Sequence, residues 1–204
     1  MKFNGVACLG ALLLGTACRW TGLPIREKIF AAHEEGLTLL YENPQLGAEA
    51  RKGERIQVRV AASRETEGGR AVRLIYTTLH GELSANFIQK GGGLFLGQDD
   101  KSTGVMVFPI GFPDSVSSWE VRGTKFRVLG RAVVDLHGLK LPDTADRVGV
   151  WVESQSPQGM RQRTFLLPDI GEVETLLWRE GGWFSANRLV SRGFTDAPPT
   201  QKSL

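Results

Sequence analysis

The chain reads as mostly β, one antiparallel β-rich domain behind an N-terminal signal. Three observations predict this. Short segments rich in β-branched and aromatic residues alternate with clusters of Gly, Pro and charge. Ile56-Gln57-Val58-Arg59-Val60 alternates strictly, which places Ile56, Val58 and Val60 on one buried face of a strand. No helical period is sustained past Gly36, while turn signals recur at the spacing of antiparallel strands.

The elements follow in order. Met1-Lys2-Phe3-Asn4, the apolar run Val6 to Leu14 and the small residues Gly15-Thr16-Ala17 form a secretory signal, too short in its apolar part to span a bilayer. Cys18 directly after the small residues resembles the lipobox of bacterial lipoproteins, although Gly15 stands where that pattern has Leu. The resemblance implies cleavage before Cys18, acylation of its thiol and amino group, and an anchor in membrane lipid. A plain cleaved secretion signal and an uncleaved segment are the alternatives. Residues 1–17 are thus read as signal and 18–35 as the lipidated Cys with a tether or short helix. Within that stretch Leu23-Pro24 opens a segment with Ile25, Ile29 and Phe30 on one face. Trp20, so near the anchor, is assigned to the membrane interface.

The β-rich domain is assigned to 36–194. Its expected strands are 37–41, 56–61, 72–79, 84–88, 94–96, 104–108, 118–121, 125–129, 132–136, 148–154, 163–167, 173–178 and 183–190. Gly91-Gly92-Gly93 and Glu180-Gly181-Gly182 mark hairpin turns, the second placing Trp178 and Trp183 for cross-strand pairing. The other tryptophans of the domain, Trp119 and Trp151, are read as packing residues. The tail 195–204, with Pro198-Pro199 among polar residues, is too poor in apolar surface to order itself.

Composition narrows the chemistry. Both cysteines lie in the first 18 residues, so a chain beginning at Cys18 has no Cys nucleophile, disulfide or Cys-ligated metal once that thiol is acylated. Without Lys2 the remaining 24 basic and 22 acidic side chains give a formal charge of +2. Single arginines such as Arg59, Arg73 and Arg127 alternate with apolar residues instead of forming a patch, which argues against nucleic acid.

No catalytic motif emerges. His33, His80 and His137 lack metal-ligand spacing. Ser102, Ser117 and Ser118 sit in turn-like stretches without a G-x-S-x-G elbow. Asp99-Asp100-Lys101-Ser102-Thr103-Gly104 lacks the ligand order of a calcium loop, and the glycines at 91–93 lack the Lys-Ser/Thr of a phosphate cradle. No catalytic residue, cofactor or metal site is therefore assigned.

Three segments resemble the TapB-like domain of uncharacterised bacterial envelope lipoproteins over about residues 105–175. They are Val107-Phe108-Pro109-Ile110-Gly111-Phe112-Pro113 followed by Trp119, then Val128 to Leu136, then Phe165 to Val173. Asp169-Ile170-Gly171 and Leu136-His137-Gly138-Leu139-Lys140 depart from the family pattern. The resemblance implies a single curved antiparallel sheet, a half-barrel or sandwich, with no catalytic residues.

The leading expectation is a non-enzymatic envelope lipoprotein, anchored through Cys18, that serves as a binding or assembly scaffold for an envelope partner. The alternative is a periplasmic carrier of lipid or another hydrophobic ligand, and its discriminator is an unfilled apolar cavity. A further alternative is an envelope hydrolase with a site assembled from distant residues. With no Asp after Cys18, the outer membrane is the preferred location, and secretion to the periplasm is the alternative.

Overall fold

The computed structural model describes residues 30–44, 55–97, 104–133, 139 and 148–194. Cys18, the expected signal 1–17, His137, Ser102 and the tail 195–204 lie outside these residues.

Among the described residues the regular structure is all strand. In chain order the strands are β1 Leu37–Glu42, β2 Ile56–Thr66, β3 Gly69–Thr78, β4 Gly81–Lys90, β5 Gly93–Gly97 and β6 Val105–Phe108. The second half comprises β7 Ser118–Val121, β8 Thr124–Val133, β9 Val148–Gln155, β10 Arg161–Leu167, β11 Gly171–Arg179 and β12 Gly182–Phe194. All twelve belong to one antiparallel sheet, in the order β6-β5-β4-β3-β2-β1-β12-β11-β10-β9-β8-β7. The chain meanders outward from β1 to β6, crosses to β7, and meanders back until β12 pairs with β1.

Continuous right-handed twist curls so wide a sheet, and here it brings the edge strands β6 and β7 together until the sheet nearly closes into a barrel. The two edges share no ladder. Instead the Trp119 indole Nε1 donates to the Val107 carbonyl at 3.0 Å. Behind that bond the seam is filled with rings. Phe108 stacks on Phe112 at 4.7 Å, Trp119 stacks on Phe126 at 5.0 Å, and Phe112 meets Phe30 and Trp119 edge-on at 5.3 and 5.4 Å. Val150, Val152 and Leu166 complete this cluster.

A second cluster lines the opposite wall. The period of two along β1, β2 and β3 buries Leu39, Tyr41, Val58, Val60, Val72 and Leu74 on one face, with Leu189 of β12 beside them. Val58 and Val60 are buried as their alternation predicts, and Ile56 is half-buried. Each fully buried aliphatic side chain contributes about 1.5–3 kcal/mol of transfer free energy. Phe30 and Ala32, from the stretch read as a tether, are also buried in these clusters.

Two turn expectations are met. Lys90 pairs with Gly93, so Gly91-Gly92 is a two-residue hairpin turn, and its φ values of 55° and 78° are those of a primed turn that glycine adopts without strain. Trp178 pairs with Trp183, with ring centroids 5.2 Å apart. One expectation is corrected. The strands expected at 125–129 and 132–136 are joined as far as the described residues reach: β8 runs unbroken from Thr124 through Gly130 to Val133, and 134–136 lie outside the described residues. Gly130, which falls between the two expected strands, has a φ of 144° and lies at a bulge where the register steps from Val128↔Val152 to Gly130↔Trp151.

Candidate ligand cavity

The inner faces of the two walls do not meet everywhere. Between them lies a cavity of about 380 Å³, within the range of about 300–1,000 Å³ that small-molecule sites occupy. Its lining is mainly apolar: Leu39, Val58, Val72, Leu74 and Phe87 from one wall, and Phe126, Val152 and Leu166 from the other. The ionisable lining residues are Tyr41, Tyr76 and Glu172, and none of the described lining residues is Arg, Lys or His.

A bulge delivers Glu172 to this interior. Phe165 pairs with Glu174 but Leu166 pairs with Glu172, so Val173 is the extra residue and the two glutamates, which simple alternation would put on one face, part company. Glu172 lines the cavity, whereas Glu174 bonds to the exposed Arg188 at 2.7 Å. Burial raises the Glu172 carboxyl above its usual range, with the Thr175 hydroxyl, which donates to Oε1 at 2.5 Å, pulling the other way. The polar chain continues through Thr175 Oγ1 to Thr164 Oγ1 at 3.5 Å, which accepts from Gln162 Nε2 at 3.0 Å. Tyr41 donates its hydroxyl to the Glu172 carbonyl at 2.8 Å. Burial, then the nearby Glu172, raises both phenols: Tyr41 well above its usual value and Tyr76 to about 12.

Across the cavity, on β4, Gln89 is different. The residue is 4% exposed and lines the cavity, yet neither its Oε1 nor its Nε2 has a hydrogen-bond partner. It shares the face of Phe87, and its cross-strand partners are Arg70 and Leu94.

The outer surface of the second half carries the opposite electrostatics. Glu153 lies directly across from Arg127 on β8 and Arg163 on β10, and accepts from Arg127, Arg161 and Arg163 at 3.1, 3.3 and 2.9 Å. Burial opposes its ionisation, but the Arg163 hydrogen bond and the three positive charges outweigh it and hold the carboxyl below its usual range. The row extends to Trp183, with the Arg163 guanidinium 4.1 Å from the ring centroid.

The described histidines and tryptophans weighed in the sequence do not converge on one site. His33 Nδ1 lies 3.3 Å from the Ala31 carbonyl and 4.0 Å from Asp169 Oδ1, and His80 sits in the β3–β4 turn, where its backbone N–H donates to Thr78 Oγ1. Among the described residues no group of three or more His, Cys, Asp or Glu is placed to hold a metal ion. Trp119 packs in the seam, and Trp151 packs on Phe165 with centroids 5.0 Å apart. Tyr41, Tyr76, Gln89 and Glu172 were not singled out. For Gln89 a signal existed: a polar residue in phase with Phe87 on a strand whose alternate positions are apolar.

No protein-family model matches the chain, so the TapB-like resemblance gains no support there. No curated protein matches it either. In shape it is similar to two solved structures, a protein described as exported with a YmcC-like fold from Bacteroides fragilis, and a protein described as a lipoprotein from Parabacteroides distasonis. Their identities are 14% and 11%, each with a TM-score of 0.46, and each comparison covers 81% of this chain and 99% of the other. Likeness at this level says nothing about what the chain does.

Proposed function

We propose that this protein is a non-enzymatic envelope lipoprotein that holds a hydrophobic small molecule inside its curled sheet. The single observation behind the reading is the apolar-lined cavity of about 380 Å³. A sheet serving only as a scaffold needs its inward residues packed against one another, because close packing is what stabilises a core. Here Val58, Leu74 and Phe87 border open space instead. The carrier reading therefore moves ahead of the scaffold reading. The hydrolase reading would need a His within hydrogen-bond reach of a Ser or carboxylate in a pocket, and the described lining includes no His.

The proposed anchor is Cys18, by its resemblance to a lipobox, and the outer membrane is the proposed location because no Asp follows it. The TapB-like resemblance of residues 105–175 points to the same envelope setting.

Intact-protein mass spectrometry of the chain isolated from membranes of its native host tests the reading. The expected denatured mass corresponds to cleavage before Cys18 plus acyl chains, and the expected native spectrum carries one additional, non-covalent mass. An acylated chain with no added native mass would return the scaffold to first place. A cleaved but unacylated chain would reduce the signal to one for secretion.

A further inference from the structure

Resting on the cavity reading, we infer that the bound molecule is a single-chain amphiphile with an uncharged amide head, seated on the side chain of Gln89. A buried amide with both of its polar atoms unpaired is rare in a folded protein, because each has given up its hydrogen bonds to water without replacement. Gln89 is such a residue, 4% exposed, and it lines the cavity. Among the described lining residues no other buried side-chain polar atom lacks a partner, and on the opposite wall Gln162, Thr164, Thr175 and Glu172 form a hydrogen-bonded chain among themselves.

A group that satisfies Gln89 must offer a donor to Oε1 and an acceptor to Nε2 side by side. An amide does this reciprocally. An ionised carboxylate or phosphate supplies acceptors alone, and it would be buried as an anion in a lining whose described residues include no Arg, Lys or His, while a carboxylic acid offers both groups only after taking up a proton, which weakens its binding at neutral pH. Around Gln89 the lining is apolar: Phe87 two residues along the same strand, Val72 on β3 and Leu94 directly across on β5, while Arg70, the residue directly across on β3, is not part of the lining and is ion-paired with Glu65. The hydrocarbon chain then runs along Val72 and Leu74 towards Tyr76, following the inward residues of β3.

Oleamide, oleate and oleylamine share one hydrocarbon chain and differ in the head, so they isolate this inference. The full chain in dodecyl maltoside, stripped of endogenous ligand, is melted with each at the same mole fraction and at pH 7.5. Oleamide is expected to raise the Tm by about 5 °C near saturation, and oleate and oleylamine by less than half as much. In Gln89→Leu the oleamide shift should fall to that of oleate. Gln89→Met gives the same readout should the leucine variant melt early.

Equal shifts from the three heads, or an amide preference that survives both substitutions, overturn the assignment to Gln89. A preference for oleylamine overturns it in favour of the Glu172 wall. If the membrane-isolated protein carries a native-only mass while the amide preference is absent, the head-group inference alone fails. If none of the three shifts the Tm and no native mass is found, the cavity reading fails with it.

Discussion

Glu153 and Glu172 lie on opposite faces of the same curled sheet, nineteen residues apart in the chain, and their surroundings drive their ionisation in opposite directions. On the outer wall three guanidinium groups converge on Glu153 and keep it charged. On the inner wall Glu172 has a hydroxyl and a phenol's attention at its backbone, but no described cationic neighbour in the lining, and burial favours its neutral form. The difference teaches how one sheet is given a wet face and a dry one. Charge is matched outside, where water remains, and is avoided inside, where a ligand with an apolar chain is proposed to lie.

The largest expected effect tests whether the dry side depends on the aromatic seam. Phe112 is 1% exposed and touches Phe30, Phe108 and Trp119. Phe112→Ala should destabilise by about 3–5 kcal/mol, through lost burial and the void left behind, as read by urea denaturation. A loss below about 1 kcal/mol would mean that the edge strands hold together without the plug.

Next in size is a gain. Gln89→Leu removes two unpaired buried polar atoms from the dry face, so the ligand-free protein should be stabilised by about 1–2 kcal/mol. A loss of stability in the ligand-free state would show that the amide is already satisfied.

On the outer wall Glu153→Gln should cost about 1–2 kcal/mol at pH 7 and low salt, since three partly exposed ion pairs contribute about 0.2–1 kcal/mol each. The pH dependence has a definite sign. A carboxyl held below its unfolded value adds stability that is present above that value and is lost as pH falls through the folded one. The gap between wild type and variant should therefore close on acidification from pH 6 towards pH 3, a range that brackets the ordinary carboxylate value of about 4.3.

The last effect changes the shape of a pH profile more than its height. Glu172 has a raised value in the fold, so its favourable contribution is complete below the unfolded value and is lost as pH rises through the folded one. Glu172→Gln should match wild type near pH 4 and melt progressively higher than it towards pH 8. Parallel melting profiles for the two proteins would show that Glu172 ionises freely, and the contrast with Glu153 would disappear.

Much of the architecture was legible in the residues themselves. Alternation in Ile56 to Val60 marked the buried face of β2, and the glycine pairs after Lys90 and Glu180 marked hairpins, because both signals arise within a few residues of backbone geometry. The break expected between 129 and 132 shows the limit of such local signals. A glycine permits either a turn or a bulge, and only the partner strand, which continues past it from Val152 to Trp151, selects the bulge. Glu172 was hidden by a comparable device, since the face it occupies depends on the extra residue Val173 in the β10–β11 pairing.

The sequence by itself determined that this is a mostly β chain with strands of known phase, and the pattern ending at Cys18 is what the expectation of export and acylation rests on. Those properties depend on periodicity, turn chemistry and short motifs, which neighbouring residues carry. Only the tertiary structure decided that β1 pairs with β12, that the edges meet at an aromatic seam, and that Tyr41, Gln89 and Glu172 face one space. The cavity depends on how far the sheet curls before its edges touch. That curvature is summed over twelve strands and is written in no single segment of the chain.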